Sequence, residues 1–494
     1  MSDRQPPDGG AAGGRPAWRW LVVLLALAAN GARGEPPRRP HVIHILVDDL
    51  GWADLSCFGA TGGRTPHIDR LAREGIRFGQ FYVNAPVCSP SRVALTTGQY
   101  PQRWRITSYL DNRAANERRG MAQWLDPAAP SLARMLRDRG YATGHFGKWH
   151  MGGQRDVADA PPITAYGFDA SLTNFEGMGA KLLPLTLRPG ATEPGRIWAD
   201  AERLGGPVRW MQRAEITGGF VAAARDFLDA AVAAERPSFI NLWPDDVHSP
   251  FWPPVDRWRE DKRGMYLAVL EEMDRQLGTL FDHIRASPAL RESTLVILCS
   301  DNGPEPGAGS AGPLRGAKTT LHEGGIRAPL VVWGPGFVAA DRAGSRDDTT
   351  VLAGFDLPPT LLAIAGATPP AGVVFDGEAL VAPLLGRGPA TRTAPLCWRR
   401  PPDRKRWPQQ GLAEQPDLAI RQGKWKLLCD YDGSSARLHD LDSDPGETVD
   451  LTRREPDLVD RLRTAVVTWH RSLPADSGAA LAAAAEPGAA PGRE

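Results

Sequence analysis

The sequence predicts an α/β protein: a large domain with a central, mostly parallel mixed sheet flanked by helices, then a small α+β subdomain with an antiparallel sheet. Three observations lead there. Four short apolar runs each end in polar residues, apolar stripes at helical spacing lie between them, and the texture of the chain changes after about residue 385. Strand and helix patterns that alternate along a chain are what a helix-covered parallel sheet requires.

The four runs come first. His41 to Val47 leads into Asp48-Asp49, and Ala142 to Gly147 leads into Lys148-Trp149-His150. Phe239 to Trp243 precedes His248, and Thr294 to Cys299 leads into Asp301-Asn302. Ligands of open α/β sheets bind beyond the carboxyl ends of the strands, so one site fed from four strands is expected. Between the runs, Leu132, Met135 and Leu136 follow Pro130-Ser131 and stop at Gly140, as in a capped helix. Phe220, Phe227, Leu228 and Val232 mark a second helix, and Leu270, Met273, Leu277, Leu280, Phe281 and Ile284 a longer third. These stripes read as core.

Beyond residue 385, Arg399-Arg400-Pro401-Pro402 and the basic residues Arg404 to Arg406 read as a solvated loop. Strand-like pieces follow at Leu418 to Arg421, Trp425 to Leu428 and Leu438 to Leu441. A turn over Asp442 to Thr448 and a helix from about Pro456 to Trp469 complete the subdomain. The expected organisation is a tail and export signal over 1–34, a catalytic domain over 38–385, the subdomain over 390–475 and a disordered tail over 477–494.

At 494 residues the chain can bury a large core. Its 58 Lys and Arg balance 58 Asp and Glu, which argues against a nucleic-acid partner. Five cysteines are too few for a disulfide scaffold and lack zinc spacing. Arg15 and Arg19 precede the apolar run Leu21 to Ala29, and small residues follow around Gly31 to Gly34. That is the layout of an export signal, too short to span a bilayer comfortably. It predicts a periplasmic or extracellular protein with no stable membrane span after cleavage, a retained anchor being the alternative.

Asp48, Asp49, Asp301 and Asn302 offer only oxygen ligands, a set for calcium or magnesium and not for zinc. Paired aspartates after a strand also occur as turns or helix caps.

Cys88-Ser89-Pro90-Ser91-Arg92, followed by Leu95 and Thr97-Gly98, resembles the signature of the sulfatase family. Gly147-Lys148-Trp149-His150-Met151-Gly152, His248-Ser249-Pro250-Phe251, and Gly316-Ala317-Lys318 with Glu323-Gly324-Gly325-Ile326-Arg327 resemble its further elements in its order. Ala317 beside the lysine is a small departure. Ala419 to Leu427 and Asp444 to Thr448 resemble its C-terminal subdomain. The resemblance implies an alkaline-phosphatase-like fold and a sulfuric ester hydrolase. It implies that a formylglycine-generating maturation enzyme oxidises Cys88 to an aldehyde, whose hydrate is the nucleophile. It implies one Ca2+ (Mg2+ less favoured) held by Asp48, Asp49, the residue derived from Cys88, Asp301 and Asn302. In the roles it implies, Arg92 holds the diol and its metal-bound oxygen, Lys148 is one of the basic residues that hold sulfate oxygens, and His150 is the base on the second hydroxyl. His248 contacts the sulfate and the leaving oxygen, and Lys318 protonates the departing alcohol with it.

Substrate choice is expected in loops over 153–220 and 251–265, where Trp198, Trp210, Trp252 and Trp258 either stack on sugar rings or simply pack. A sulfated carbohydrate is the expected substrate. The alternatives are a phosphonate monoester or phosphodiester hydrolase of the same superfamily, and an inactive protein that binds sulfated glycans.

Overall fold

The computed structural model describes residues 39–389, 392–401 and 415–477. The predicted export signal, the basic residues Arg404 to Arg406 and nearly all of the predicted tail lie outside the described residues.

The four apolar runs are neighbouring strands: β1 (His41–Val47), β3 (Ala142–Gly147), β8 (Ser238–Trp243) and β9 (Thr294–Ser300). They pair in the order β9-β1-β8-β3, all parallel. Such runs carry no polar alternation because both faces of the sheet are covered. Val42, Leu46, Phe239, Leu295 and Ile297 point into one core, and Ile43, Ile45, Val47, Ile240, Leu242, Val296 and Leu298 into the other. Strands β2 (Ile76–Tyr82), β4 (Ala170–Leu172), β10 (Arg327–Trp333), β11 (Arg346–Asp347) and β12 (Leu352–Ala353) extend the sheet. Of these, β10 runs antiparallel between β9 and β2, so the sheet is mixed and mostly parallel, as expected.

Helices Pro66–Glu74, Ile216–Ala233 and Lys262–Ala286 cover the second core, whereas Cys88–Thr97, Leu132–Arg137 and Leu357–Ile364 cover the first. Two details depart from expectation. Val232 is 40% exposed, so the buried stripe of its helix is Phe220, Val221, Ala224 and Leu228. The helix begun at Leu132 ends at Arg137, and Ser131 caps it without a side-chain hydrogen bond.

The stretch expected to be substrate loops holds a three-stranded sheet, β5 (Lys181–Thr186), β6 (Gly195–Arg196) and β7 (Val208–Gln212). The C-terminal sheet is antiparallel: β13 (Leu396–Arg399), β14 (Leu418–Gln422), β15 (Trp425–Cys429) and β16 (Arg437–Asp440), with helix Pro456–Arg471 against it. Leu418, Ile420, Leu427, Leu462 and Val466 join the core that contains Val42. Arg399 and Arg400 are not a solvated loop; each is 1% exposed. The pairing of Arg399 with Leu418 carries both under the sheet. There Asp476 lies 3.2 Å from Arg399, and Asp417 pairs with Arg400, so each buried charge is matched.

Candidate active site

Parallel pairing in register brings the four polar termini to one edge. Backbone bonds then join them: Asp48 N–H donates to Asp246 O (3.0 Å), Val247 N–H to Asp48 O (2.9 Å), Lys148 N–H to Trp243 O (2.8 Å) and Asp301 N–H to Val47 O (3.3 Å). Gly147 permits this approach. Its φ is +123°, and a Cβ there would lie 2.0 Å from Trp243 O.

Cys88 opens the helix that carries the signature, and every residue of that helix is buried. The signature's terminal glycine, Gly98, ends it in the left-handed region (φ +68°), donating to Ala94 O, with the Phe375 ring where a side chain would stand. One turn after Cys88, Arg92 Nη2 lies 2.8 Å from Asp301 Oδ2 and 3.7 Å from Asp48 Oδ1, and its Nη1 donates to Lys148 O (2.9 Å). Lys148 Nζ meets Asp48 Oδ2 at 2.5 Å, and Lys318 Nζ meets Asp49 Oδ2 at 2.8 Å. The Lys318 loop is pinned beside the Cys88 helix, because Thr319 N–H donates to Pro86 O (2.8 Å). His248 Nε2 lies 3.7 Å from Asp49 Oδ2, and Asn302 Nδ2 donates to Asp49 Oδ1 (2.7 Å). All ten positions singled out in the sequence thus converge, and most of them line a cavity of about 530 Å³.

Asp48, Asp49 and Asp301 are each 0% exposed. Burial alone would raise Asp48, but Lys148, His248 and Arg92 together hold it well below the usual carboxylate range. Asp301 is pushed up to about 7 by burial and by the charge of Asp48, with Arg92 opposing. Ligand atoms of Asp48, Cys88 and Asp301 lie within 4.8 Å of one another. Asp48 Oδ1 and Asn302 Oδ1 have no hydrogen-bond partner among the described residues. Crowded buried carboxylates with spare oxygens fit a hard divalent cation such as calcium, and the thiol position completes the set.

Burial pushes the Cys88 thiol up, so the unmodified side chain is a poor thiolate. Burial works against charge on Lys148 and Lys318, yet Asp48 and Asp49 respectively outweigh it and hold both protonated. His150 lies well below its ordinary value through burial and the nearby charges of Lys148 and Arg92, so it stands neutral. Its Nδ1 has no partner among the described residues.

Two residues that carry no motif also reach the site. Glu176 Oε2 lies 3.8 Å from His150 Nε2, and Arg155 Nη1 holds Glu176 Oε1 at 2.7 Å. No local pattern marks either one; their meeting depends on how the chain turns between β3 and β5. Backbone conformation does mark the region. Asp49, His150, Arg155, Glu176, Trp198 and Thr319, six of the ten non-glycine residues with positive φ among the described residues, line the cavity or adjoin a residue that does. Of the four tryptophans considered for stacking, Trp198 lines the cavity. Trp252 and Trp258 pack edge to face on each other, and Trp210 donates to Glu202.

Residues 40–367 match the sulfatase family model. The chain belongs to the sulfatase family. It is 33% identical to human (Homo sapiens) arylsulfatase A over 88% of this chain and 83% of that protein. It is 33% identical to N-acetylgalactosamine-6-sulfatase of Canis lupus familiaris, over 75% of this chain and 70% of the other. Among solved structures, Ps i-CgsB in complex with k-i-k-neocarrahexaose superposes with a TM-score of 0.73 at 25% identity, covering 88% of this chain and 94% of that one. This sulfatase is therefore a hydrolase of sulfate esters, with a buried Asp48–Cys88–Asp301 cluster suited to a divalent cation and to a nucleophile of the formylglycine type.

Proposed function

We propose that this sulfatase removes sulfate from a sulfated carbohydrate, with Cys88 as the site of formylglycine. The observation that carries the reading is the meeting of Cys88 with Lys148, His150, His248 and Lys318 in one cavity whose floor holds Asp48. Once formed, the aldehyde hydrate would supply a hydroxyl nucleophile; Asp48, Asp49, Asp301 and Asn302 would hold a divalent cation, whose chemistry would be polarisation of the sulfuryl group. The chain's own residues do the rest. Arg92, locked on Asp301, fixes the carboxylate geometry. Lys148 and Lys318, both cationic, bind sulfate oxygens and offset the charge that grows as the ester bond breaks. Lys318, with His248, gives a proton to the departing alcohol. His150, neutral and with Nδ1 unpartnered among the described residues, takes the proton of the second hydroxyl.

Carbohydrate is supported by Trp198 at the cavity and by the saccharide substrates and ligands named for the relatives above. Export is supported by the N-terminal pattern, and no helix of the described residues is long and apolar enough to cross a membrane. The same reading assigns catalysis to residues 38–385 and takes in a formylglycine-generating enzyme as the maturation partner.

The test is mass spectrometry of the tryptic peptide from Phe78 to Arg92, on protein from its own host, with sulfate release from monosulfated sugars measured alongside. Aldehyde at Cys88 with sulfate release is the expected result. A retained thiol, in a host that matures another sulfatase, would overturn the reading in favour of a glycan-binding protein. Faster turnover of the phosphate ester of the same alcohol would assign the site to phosphoester chemistry.

A further inference from the structure

A second cleft, of about 660 Å³, lies between the β11–β2 edge of the main sheet and the C-terminal sheet, and it shares no lining residue with the active-site cavity. Its charged lining consists of Arg327, Arg346, Arg392, Arg421 and Lys424 against Asp348 and Asp442. Four of these cations have carboxylate partners: Arg327 with Glu323, Arg346 with Asp348, Arg392 with Asp356 and Lys424 with Asp440. Those pairs leave donors over. Arg392 buries Nε and Nη1 with no hydrogen-bond partner among the described residues, and Arg421 buries Nη1 in the same state.

Arg421 is the more telling of the two. It is 3% exposed and has no carboxylate within ion-pair distance among the described residues. Its Nε donates to Gly423 O (2.9 Å), its Nη2 donates to Gln80 Oε1, and its guanidinium lies 4.7 Å over the Tyr82 ring. A guanidinium fixed on three sides cannot turn to find another acceptor, and a buried N–H left unpaired costs stability. Two guanidiniums that line one cleft and keep N–H groups unpaired among the described residues suit a tetrahedral oxyanion, whose several acceptor oxygens can serve more than one donor. Trp52, beneath Arg327 and Arg346 at 5.5 and 5.3 Å, gives the cleft an aromatic floor.

We propose that this cleft is a second anion site, which binds a sulfate group through Arg421 and Arg392 without hydrolysing it. The group is either inorganic sulfate, the product of the reaction, or a sulfate ester on a saccharide; the saccharide case rests on the function proposed above. In that case the cleft tethers one sulfated unit of a chain while another enters the active site, raising its effective concentration there.

Equilibrium dialysis of labelled inorganic sulfate against matured protein tests the first source. Calorimetric titration of a monosulfated disaccharide into Cys88→Ala protein, which cannot turn it over, tests the second. Two sites per chain are expected for at least one of these probes, with Arg421→Gln abolishing the second and Arg421→Lys restoring part of it. Should Arg421→Gln fail to fold, Arg346→Gln, at the exposed mouth, is expected to weaken the second site by about 10-fold. Hydrolysis of a small aryl sulfate by Arg421→Gln protein should match that of the parent. One site only for both probes, or a second site indifferent to the Arg421 and Arg346 substitutions, overturns the cleft. Aryl sulfate turnover reports separately on the active-site reading, so the two fail independently.

Discussion

At the level of single residues, the site works by setting neighbouring groups in opposite charge states. His150 is kept neutral by burial, while Lys148 and Lys318 are kept charged by aspartates at 2.5 and 2.8 Å. Glu176 belongs to the same scheme. Burial pushes its carboxyl up to about 8, with Arg155 opposing, and its Oε2 lies 3.8 Å from His150 Nε2. In the proposed mechanism Glu176, protonated near neutral pH by that shift, releases its proton as His150 gains one, so that a carboxylate beside the ring compensates the new charge and holds it. Glu176→Gln is therefore expected to lower kcat roughly 10–100-fold with little change in KM, as replacing a ligand-orienting partner does. Steady-state kinetics on a soluble sulfate ester checks this, and an unchanged kcat would remove Glu176 from the mechanism. The motif-borne residues were readable in the sequence because each follows a strand or stands in the signature, where spacing fixes neighbours, or, for Lys318, in the Gly-Ala-Lys element that resembles the family's. Glu176 and Arg155 were not, since nothing local dictates that a loop beyond β3 folds back on His150.

Between elements, much of the fixing is done by groups lent from one segment to another. Helix Pro66–Glu74 starts at Thr65, which provides no side-chain cap. Its first amides are satisfied instead by Asp274 of the Lys262–Ala286 helix, at 2.8 Å to Ile68 N and 3.1 Å to His67 N. Asp274→Ala should destabilise the protein by about 1–3 kcal/mol by orphaning two amides. Asp274→Asn, which keeps an acceptor, should recover part of that loss in thermal or urea melts. Such loans explain where sequence reading stopped. The polar-ended strands announced themselves through length and pattern. The β5–β7 sheet did not, since β6 has only two residues and β5 pairs with β7 across it. Arg399 and Arg400 read as solvated because charge and proline usually mean surface; the carboxylates that neutralise them lie far along the chain at Asp417 and Asp476.

Over the whole molecule, the C-terminal sheet is tied to the catalytic machinery by a buried ionic cluster. Lys426 Nζ on β15 lies 2.9 Å from both Glu323 and Glu447, with all three side chains at 0% exposure. Glu447 also accepts from Glu323 N–H at 2.7 Å, just beyond the loop that carries Lys318. Lys426→Met would leave Glu323 and Glu447 without the cation they share, with Arg327 beside only the first and His322 beside only the second, a loss of about 3–5 kcal/mol visible as a lower urea midpoint. The same cluster sets an acid limit. Burial opposes the charge of Glu447, but Lys426 and His322 win and hold its carboxyl down to about 2. Its contribution to stability is therefore complete above the ordinary glutamate value of 4.5 and is lost as pH falls from there through about 2. Glu447→Gln should flatten that part of the stability–pH curve, and an unchanged acid limb would assign it to other carboxylates.

The burial of Cys88, 3% exposed at the head of a helix with no exposed residue, bears on the order of events in the cell. On the function proposed above, an enzyme that oxidises this thiol has to reach it, and the finished fold hides Cys88 together with Ser89, Pro90 and Arg92. On that reading, modification and folding compete for the same segment of newly made chain. If the proposed modification precedes folding, the fraction that folds first keeps its thiol, the yield of working enzyme records the relative speed of the two, and slowing the fold should raise it.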